Sequence, residues 1–399
     1  MKINPGGTLA LEDIVGRDAL VQDICARLDQ QSVVLVAERR MGKTHVLAKL
    51  SAEAPASWVV FRRDVEGVRS AAEFVQTIVA DLHPHLNAST QFADWIKARA
   101  ADLGGTKIGP LTLPNFQGKH WKQALCDTFD HVQSAKDLTR VVFLWDEIPW
   151  MIQNIARADA QEAMELLDVL RALRQQHAKL RMVFTGSIGL HHIVRQLKAQ
   201  GYTNAPTNDM AAIEVTPLDA PDATRLANKL LQDIGCDTQN STLAADIAQA
   251  VDGVPYYIHH VLSDIAKRRN AQAVPTRTEL RQQIRAAIQS AHDTWNLKHF
   301  EERTQAYYGS QRDACLALLD GIAAAPNRLD VQTAINGAKA SFPGIQQNDW
   351  LELVRLLERD YYLLRDPDTG QLGFKFSVLK RWWQWHRLSL PIMVEGAVP

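Results

Sequence analysis

Short unbroken runs of apolar residues recur through the first half of the chain, and between them apolar residues return every three or four positions. An unbroken run of about four to eight apolar residues is typical of a strand buried on both faces of a parallel sheet, whereas the wider spacing is typical of an amphipathic helix. This alternation predicts an α/β fold, a parallel sheet with flanking helices. The predicted strands are 33–36, 58–61, 141–147, 182–187 and 213–215.

The second half of the chain has a different pattern. It is helical to about residue 303, and after a polar stretch at 308–310 three further helical patterns follow. Two strand-like runs then flank the turn Pro-Asp-Thr-Gly at 367–370, which predicts a hairpin. Three helices and a hairpin are the outline of a winged helix. We therefore expect an α/β core over 1–216, an all-α lid over 217–305 and a winged-helix domain over 306–399.

Residues 104–118 fit neither pattern. They read GGTKIGPLTLPNFQG, an alternating stretch rich in Gly and Pro. Such a stretch predicts a hairpin or an extended insertion in the core. The sequence does not indicate what this insertion does.

The loop after the first strand carries the strongest chemical signal. Residues 37–44 read A-E-R-R-M-G-K-T and lead into an amphipathic helix. Strand, loop and helix in this order are the setting of a phosphate-binding loop, because backbone N–H groups at the helix start face a bound anion. Gly42 lets the backbone approach the phosphates, Lys43 would reach the β and γ phosphates, and the Thr44 hydroxyl would ligate Mg²⁺. Ala37 departs from the usual Gly. The expected nucleotide contacts in this loop are Arg40, Met41, Gly42, Lys43, Thr44 and His45.

Two acidic residues end the strand at 141–147. In an open α/β sheet, ligands bind at the carboxyl ends of the strands, so this strand would deliver Asp146 and Glu147 to the site. Asp146 is expected to hold Mg²⁺ through water, as the Walker-B acid does in P-loop NTPases. A strand that ends in a solvated Asp-Glu turn is the alternative. The position of the pair, about a hundred residues after a phosphate-binding loop, favours the metal.

The strand at 182–187 also ends in small polar residues. Thr185 or Ser187 would serve as a polar sensor that contacts the γ-phosphate or the attacking water. Either residue would equally serve as the N-cap of the helix that starts near Gly189. The sequence leaves these two alternatives open.

The order of these motifs resembles the prokaryotic "archaeal ATPase" family, which belongs to the STAND branch of P-loop ATPases related to AAA+. The resemblance covers about residues 12 to 388, nearly the whole chain. The motifs that carry it are V-G-R at 15–17, A-E-R-R-M-G-K-T at 37–44, F-L-W-D-E at 143–147, F-T-G-S at 184–187, G-V-P-Y-Y at 253–257, and Y-Y-L, F-K-F and W-W near the C-terminus.

The resemblance implies that ATP binds between the core and the lid, and that its slow hydrolysis acts as a switch. Val15 and Gly16 would lie against the adenine with their backbone, and Pro255 would stack over it. Glu147 stands where this class keeps the carboxylate that polarises the attacking water, and Ser187 is assigned a catalytic role as a sensor. Gly and Pro at 253–255 are also what a helix end followed by a helix start requires.

The resemblance also implies partners. Many members of the family pair with an effector encoded nearby, including in anti-phage defence, so we expect a protein partner or self-assembly. In the wider class a neighbouring subunit often supplies an arginine to the site. Arg171, Arg174 and Arg195 are the candidates.

Charge narrows the range of partners. The chain of 399 residues has 44 Lys and Arg against 45 Asp and Glu, a formal net charge of −1, so nothing points to nucleic acid or an anionic membrane. Within 311–399, ten basic residues face ten acidic ones. A DNA-binding ATPase similar to origin-recognition initiators is therefore the second hypothesis. It depends on one local basic group, Lys375, Lys380, Arg381 and Arg387.

Cysteine usage and hydropathy indicate the compartment. The four cysteines, at 25, 126, 236 and 315, lie far apart and are typical of buried thiols in a reducing compartment. No apolar run approaches the ~20 residues that span a bilayer, and the start, MKINPGG, lacks the apolar core of a signal peptide. These features predict a cytoplasmic protein without a membrane partner.

Overall fold

A computed structural model describes residues 2–86, 94, 105–108, 111–114, 120–135, 138–186, 189–236, 242–268 and 275–392. The chain divides into two compact units. The first, named here the sheet unit, consists of Arg17–Arg39 and Lys43–Val215. The second, named the helical unit, consists of Met1–Gly16, Arg40–Gly42 and Thr216–Pro399.

The sheet unit contains a five-stranded parallel sheet, as the apolar runs predict. Its strand order is β2-β5-β6-β1-β7, so that Val33 at the start of β1 lies opposite Val183 of β6 and Ala211 of β7. A separate antiparallel hairpin, β3 with β4, confirms the hairpin expected within 104–118. The strands are β1 (Val33–Val36), β2 (Trp58–Asp64), β3 (Gly105–Ile108), β4 (Leu111–Pro114), β5 (Arg140–Asp146), β6 (Leu180–Phe184) and β7 (Ala211–Glu214).

Helices flank this sheet. Strand β5 is buried along its length after Arg140, and its Trp145 ring lies 5.0 Å from the Phe143 ring and 5.9 Å from the Phe184 ring. Burial on both faces is what produces an unbroken apolar run. The described helices of the unit are α1 (Asp18–Leu28), α2 (Lys43–Glu53), α3 (Ala71–Leu86), α4 (His120–Ser134), α5 (Ile148–Ala158), α6 (Ala160–Gln176) and α7 (Leu190–Ala199).

One buried arginine fixes α1 against the sheet. The Arg181 side chain of β6 donates from Nε to the Leu28 carbonyl at 2.8 Å and from Nη2 to the Asp29 carbonyl at 3.2 Å. The last carbonyls of a helix have no partner inside the helix, so these bonds satisfy groups that burial would otherwise leave unpaired. They hold the end of α1 just before β1 begins.

The helical unit combines the predicted lid with the C-terminal region. Strands β8 and β9 pair antiparallel around the turn at 367–370, which confirms the predicted hairpin. The classification of 306–399 as a winged helix stays a prediction. The described elements are α8 (Ala220–Asp233), α9 (Leu243–Ala250), α10 (Pro255–Arg268), α11 (Arg277–Ile288), α12 (His299–Tyr308), α13 (Arg312–Ala324), α14 (Val331–Lys339), α15 (Gln347–Arg359), β8 (Leu363–Arg365), β9 (Leu372–Phe374) and α16 (Ser377–Leu388).

The final helix packs into the core of this unit. Trp382 and Trp383 of α16 are buried, and the Trp383 indole donates to Asp320 Oδ1 at 2.7 Å. Arg387 binds the same carboxylate with two N–H groups, both at 2.8 Å, and Glu301 at 2.9 Å. Trp382 and Trp383 thus pack against the rest of the unit, whereas Trp385 of the same helix is exposed. None of the described helices of the protein combines the length and the apolar character needed to span a membrane.

Candidate functional site

The loop between β1 and α2 has the backbone conformation of an anion-binding turn. Arg40 and Gly42 both have positive φ angles, 73° and 87°. Glycine adopts this left-handed region readily, whereas a residue with a Cβ pays about 1 kcal/mol or more for it. Strain of this kind at a loop that begins a helix is typical of ligand-binding positions.

Lys43, the first residue of α2, is directed back into the loop. Its Nζ donates to the carbonyl oxygens of Ala37 at 3.2 Å and Glu38 at 3.1 Å, and the side chain is buried. Burial lowers the pKa of Lys43, and the carboxylates of Glu38, Glu147 and Asp146 oppose that shift. An ammonium held in this way at the start of a helix is a donor aimed at anions.

Glu38 is a residue that the sequence analysis missed. Its side chain is only 3% exposed, and its Oε1 accepts a hydrogen bond from the Arg39 backbone at 2.7 Å. The carboxylate therefore shapes the loop and acts on the pKa of Lys43. The one available signal was a carboxylate between two small or basic loop residues, which by itself predicts nothing about burial.

Thr44 and Asp146 form a direct pair, and their oxygens fit a magnesium ion. The Thr44 hydroxyl donates to Asp146 Oδ2 at 2.7 Å, across 102 residues of sequence. Burial raises the pKa of Asp146, while the Thr44 hydrogen bond and the Lys43 charge oppose that shift. Hydroxyl and carboxylate oxygens are the hard ligands that Mg²⁺ prefers, and the ion usually keeps several waters besides. The two residues that sequence reasoning assigned to the metal are thus brought together.

Glu147 lies at a strained turn between β5 and α5. Its φ of 64° is left-handed. Two backbone bonds join the turn to Thr185, the residue after β6: the Ile148 N–H donates to the Thr185 carbonyl at 3.0 Å, and the Thr185 N–H donates to the Trp145 carbonyl at 3.1 Å. A Cβ added at Gly186 would lie 2.5 Å from the Pro149 ring. Gly186 is therefore the residue that lets β6 end this close to the acidic turn.

Of the two residues predicted as polar sensors, Thr185 is the one whose surroundings the structure describes. Its side chain is 2% exposed, and its Oγ1 has no hydrogen-bond partner among the described residues. A buried hydroxyl without a partner costs about 1–3 kcal/mol, so it needs a reason. Helix α7 has Gly189 as its N-cap and no side-chain cap bond, so Thr185 does not act as its cap. Ser187 lies outside the described residues.

Comparison with known proteins agrees with this geometry. Residues 26–194 match the family model described as an AAA domain. A Walker-type ATPase of Pyrococcus abyssi has the same fold, with a TM-score of 0.63 at 15% identity over 96% of this chain and 100% of that chain. None of the curated proteins compared with the sequence matches it.

Two more distant structures come from Aeropyrum pernix. Its ORC2 protein in the ADP form gives a TM-score of 0.45 at 11% identity, over 94% of this chain and 92% of that chain. Its ORC1 protein in complex with DNA gives 0.40 at 12% identity, over 94% of both chains. The matched domain spans β1, the loop with Lys43 and the end of β5 with Asp146. Residues 26–194 form an AAA domain, and the chain has the fold of a P-loop ATPase.

The helical unit of the ATPase contains the other residues assigned to the nucleotide. Val15 is buried, and Gly16 has a φ of 68°. A Cβ added at Gly16 would lie 2.4 Å from the Asp222 carboxylate, so only glycine allows this approach. The close approach of Gly16 to Asp222 explains the glycine without a ligand. The contact of Val15 and Gly16 with adenine therefore stays a prediction.

Pro255 begins α10 directly after a tight turn. Gly253 has a φ of 66°, its own carbonyl accepts from the Leu218 backbone at 3.0 Å, and a Cβ on it would lie 2.4 Å from the Leu218 oxygen. The G-x-P motif thus closes the turn against the segment before α8. Adenine stacking by Pro255 stays a prediction.

The middle of the phosphate-binding loop, residues 40–42, belongs to the helical unit. The Arg40 guanidinium lies over the ring of Tyr256, 4.5 Å from its centroid. Met41 is buried, and His45 on α2 in the sheet unit is half-buried. Sequence analysis assigned Arg40 to the nucleotide but did not identify Tyr256 as its neighbour.

The three arginine candidates differ in their surroundings. Arg174 is buried, binds both oxygens of Asp209 at 2.9 Å and donates to the Pro206 carbonyl at 2.5 Å. All of those bonds lie inside the sheet unit, where they fix the segment before β7 to α6. Arg171 and Arg195 are half-buried and are the two that stay candidates for a neighbouring site.

Proposed function

We propose that this P-loop ATPase is a regulatory switch of the STAND type. It binds ATP with Mg²⁺ at the loop 37–44, hydrolyses it slowly, and uses the nucleotide state to change the conformation of the helical unit. The output is a change in a protein partner or in its own assembly, in a setting such as prokaryotic defence. Residues 217–305 act as the lid, and residues 306–399 act as a winged-helix output domain.

The site residues have distinct roles in this proposal. Lys43 binds the β and γ phosphates, Thr44 and Asp146 hold the metal, and Glu147 orients the attacking water. The bound Mg²⁺ supplies charge neutralisation at the phosphates. The Thr185 hydroxyl, buried and without a described partner, hydrogen-bonds the γ-phosphate or that water. The strained turn at Glu147 keeps its carboxylate at the end of β5.

One contact carries the proposal of a switch with output through 306–399. The Asp252 carboxylate, next to Gly253 and Pro255, accepts the Val378 N–H at 3.1 Å and so caps α16 from a turn 126 residues earlier. Arg381 of α16 donates back to the Ala250 carbonyl at 2.5 Å. The turn assigned to adenine is thus bonded directly to the last helix of the predicted winged helix.

The surroundings of the basic group at 375–387 favour a protein partner over DNA. Lys380 donates to the Ala325 carbonyl at 2.8 Å, and Lys375 lies over the Tyr361 ring at 4.3 Å. Arg381 and Arg387 make the internal bonds described above. Basic side chains that already bind carbonyls and carboxylates are poorly placed to neutralise phosphates along DNA.

The proposal is tested by the mass of the protein in solution, measured by light scattering with ADP and with ATP. The Glu147→Gln variant should keep ATP unhydrolysed during the measurement. Lys43→Ala is the control, and its mass should not change when ATP is added. Growth in mass with ATP alone supports a self-assembling switch, and an unchanged mass with an ATP-dependent partner recovered from the native host supports a signalling protomer. A protein that binds neither nucleotide overturns the proposal, and salt-dependent DNA binding that is lost without residues 306–399 replaces it with the second hypothesis.

A further inference from the structure

Arg40 stands in the phosphate-binding loop and belongs, like Tyr256, to the helical unit. Its φ of 73° places it in a conformation that disfavours residues with a Cβ. Its guanidinium carbon lies 4.5 Å from the Tyr256 ring centroid, and its Nε is buried with no hydrogen-bond partner in the part of the chain that the structure describes. A loop arginine is thus held by a cation–π contact, with hydrogen-bonding capacity left unused.

The N-terminal segment closes over this pair. A Cβ built on Gly6 would lie 3.4 Å from Tyr256 Cε2 and 3.5 Å from Arg40 Nη1, so the Gly6 backbone packs against both. The Asn4 N–H donates to His259 Nδ1 at 3.2 Å and fixes the segment to α10. The His260 ring packs edge-on against Tyr256, with centroids 4.4 Å apart.

The pKa of His260 depends in part on the charge of Arg40. Burial lowers the pKa of His260 to about 4, the charges of Arg40 and Lys267 add to the shift, and Asp264 opposes it. His260 is therefore neutral at pH 7, so that the cation near Tyr256 is not repelled by a second positive charge on α10.

We infer that Tyr256 competes with the nucleotide phosphates for the Arg40 guanidinium, and that this contact lowers the affinity of the resting protein for nucleotide. The inference rests on the proposed nucleotide site at 37–44. Arginine binds phosphate through two parallel charge-assisted hydrogen bonds, a stronger contact than an arginine makes with a phenol ring. A nucleotide would therefore recruit Arg40 from Tyr256, and that exchange costs affinity because the binding-competent state is only partly populated.

The direction in which nucleotide affinity changes distinguishes competition for Arg40 from a role in which Tyr256 itself binds the nucleotide. Tyr256→Leu removes the ring that holds Arg40, so it should tighten binding of Mg²⁺-ADP by about tenfold, within the range of a cation–π contact. Tyr256→Phe keeps the ring and should bind as the unmodified protein does. Arg40→Ala should weaken binding, and adding Tyr256→Leu to it should change nothing further.

The experiment is titration calorimetry of the full chain with Mg²⁺-ADP, and with Mg²⁺-ATP in the Glu147→Gln variant. Weaker or unchanged binding by Tyr256→Leu overturns the inference, as does a gain that persists when Arg40 is alanine. Loss of all binding in the unmodified protein instead overturns the nucleotide site itself, so the two failures are distinguishable.

A second measurement keeps the inference testable where Tyr256→Leu does not fold. The pKa of His260, followed by NMR without nucleotide, should rise in Arg40→Ala because a nearby positive charge is removed. Saturating Mg²⁺-ADP should raise it in the unmodified protein as well, since Arg40 then leaves Tyr256. A His260 pKa that responds to neither change contradicts the inference.

Discussion

The residues proposed to act on the nucleotide make different kinds of contact in the sheet unit and in the helical unit. In the sheet unit, Lys43 binds carbonyls five and six residues away in its own loop, and Thr44 binds Asp146 at the end of a neighbouring strand. In the helical unit, Arg40 lies over Tyr256, a residue that no motif links to it. In our proposal the first set of contacts supplies the chemistry, and the second determines how strongly the protein binds nucleotide. Changes in the first should abolish a step, whereas changes in the second should shift an equilibrium.

The largest effect is expected from Lys43→Ala. It removes the buried ammonium that we propose binds the phosphates. We therefore expect no measurable binding of ATP by calorimetry, a loss of 100-fold or more by the typical cost of truncating a buried charge contact, about 3 kcal/mol. Lys49→Ala is the matched control, because Lys49 lies on the same helix and pairs with Asp18 at 3.1 Å and Glu53 at 2.6 Å. It should lower stability and leave ATP affinity unchanged. Equal affinity of Lys43→Ala and the unmodified protein would remove the loop from the site.

Glu147→Gln should separate binding from turnover. The amide keeps the shape of the side chain but cannot accept a proton or carry charge, so ATP should bind normally while single-turnover hydrolysis slows by about 10²–10⁴-fold. Glu66→Gln changes an exposed acid of the same unit and should hydrolyse ATP at the normal rate. Unaltered hydrolysis in Glu147→Gln would assign the water to another group.

The sequence drew attention to these residues because the patterns that surround them are local. Strand β5 is buried on both faces, so its apolar run and the acids that end it were recognisable, and the loop before α2 was recognisable from Gly42, Lys43 and Thr44. The α/β sheet was confirmed for the same reason. The alternating stretch rich in Gly and Pro predicted a hairpin or an extended insertion, and β3 and β4 form the hairpin.

Thr185→Val should slow turnover without a loss of stability. Its hydroxyl has no partner among the described residues, so replacing it with a methyl group should raise the free energy of unfolding by about 1 kcal/mol, while turnover slows by about tenfold, the value of one hydrogen bond to a charged group. Thr128→Val is the opposite control, because the buried Thr128 hydroxyl donates to the Ala124 carbonyl at 2.6 Å. It should lower the melting temperature and leave kcat unchanged. A stability loss in Thr185→Val equal to that of Thr128→Val would show that the hydroxyl is structural.

The contacts that the sequence analysis missed join residues that are far apart in the chain and that no repeating pattern of apolar and polar positions relates. Asp252 is one acid in a turn, and nothing in its neighbourhood indicates that it binds Val378. Tyr256 follows Pro255 in a motif, yet the cation over its ring is Arg40, a loop residue more than two hundred positions earlier. Glu38 is buried in the folded protein, and the amino-acid sequence of its loop does not indicate that burial. Such pairs are set by tertiary packing and carry no local pattern.

The smallest expected effect tests the link between the turn at 252 and α16. Asp252 has a φ of 55°, a conformation that Gly and Asn tolerate. Asp252→Gly therefore removes the cap on α16 without backbone strain, at a cost of about 1 kcal/mol, whereas Asp252→Asn keeps an acceptor oxygen and should cost less. Hydrogen exchange at the Val378 amide should speed up by about fivefold in Asp252→Gly.

The same two variants decide whether this contact passes on the nucleotide state. If the turn carries the change to α16, addition of Mg²⁺-ATP to the Glu147→Gln protein should alter exchange along α16, and Asp252→Gly should reduce that response while ATP affinity stays the same. A response of α16 that persists in full without the Asp252 carboxylate would mean that the output travels through other contacts of α16, such as that of Arg381 with Ala250. In that case the two units would still differ. The response of α16 to nucleotide would be shared among several contacts of the helical unit, whereas the proposed hydrolysis would still depend on a few residues of the sheet unit.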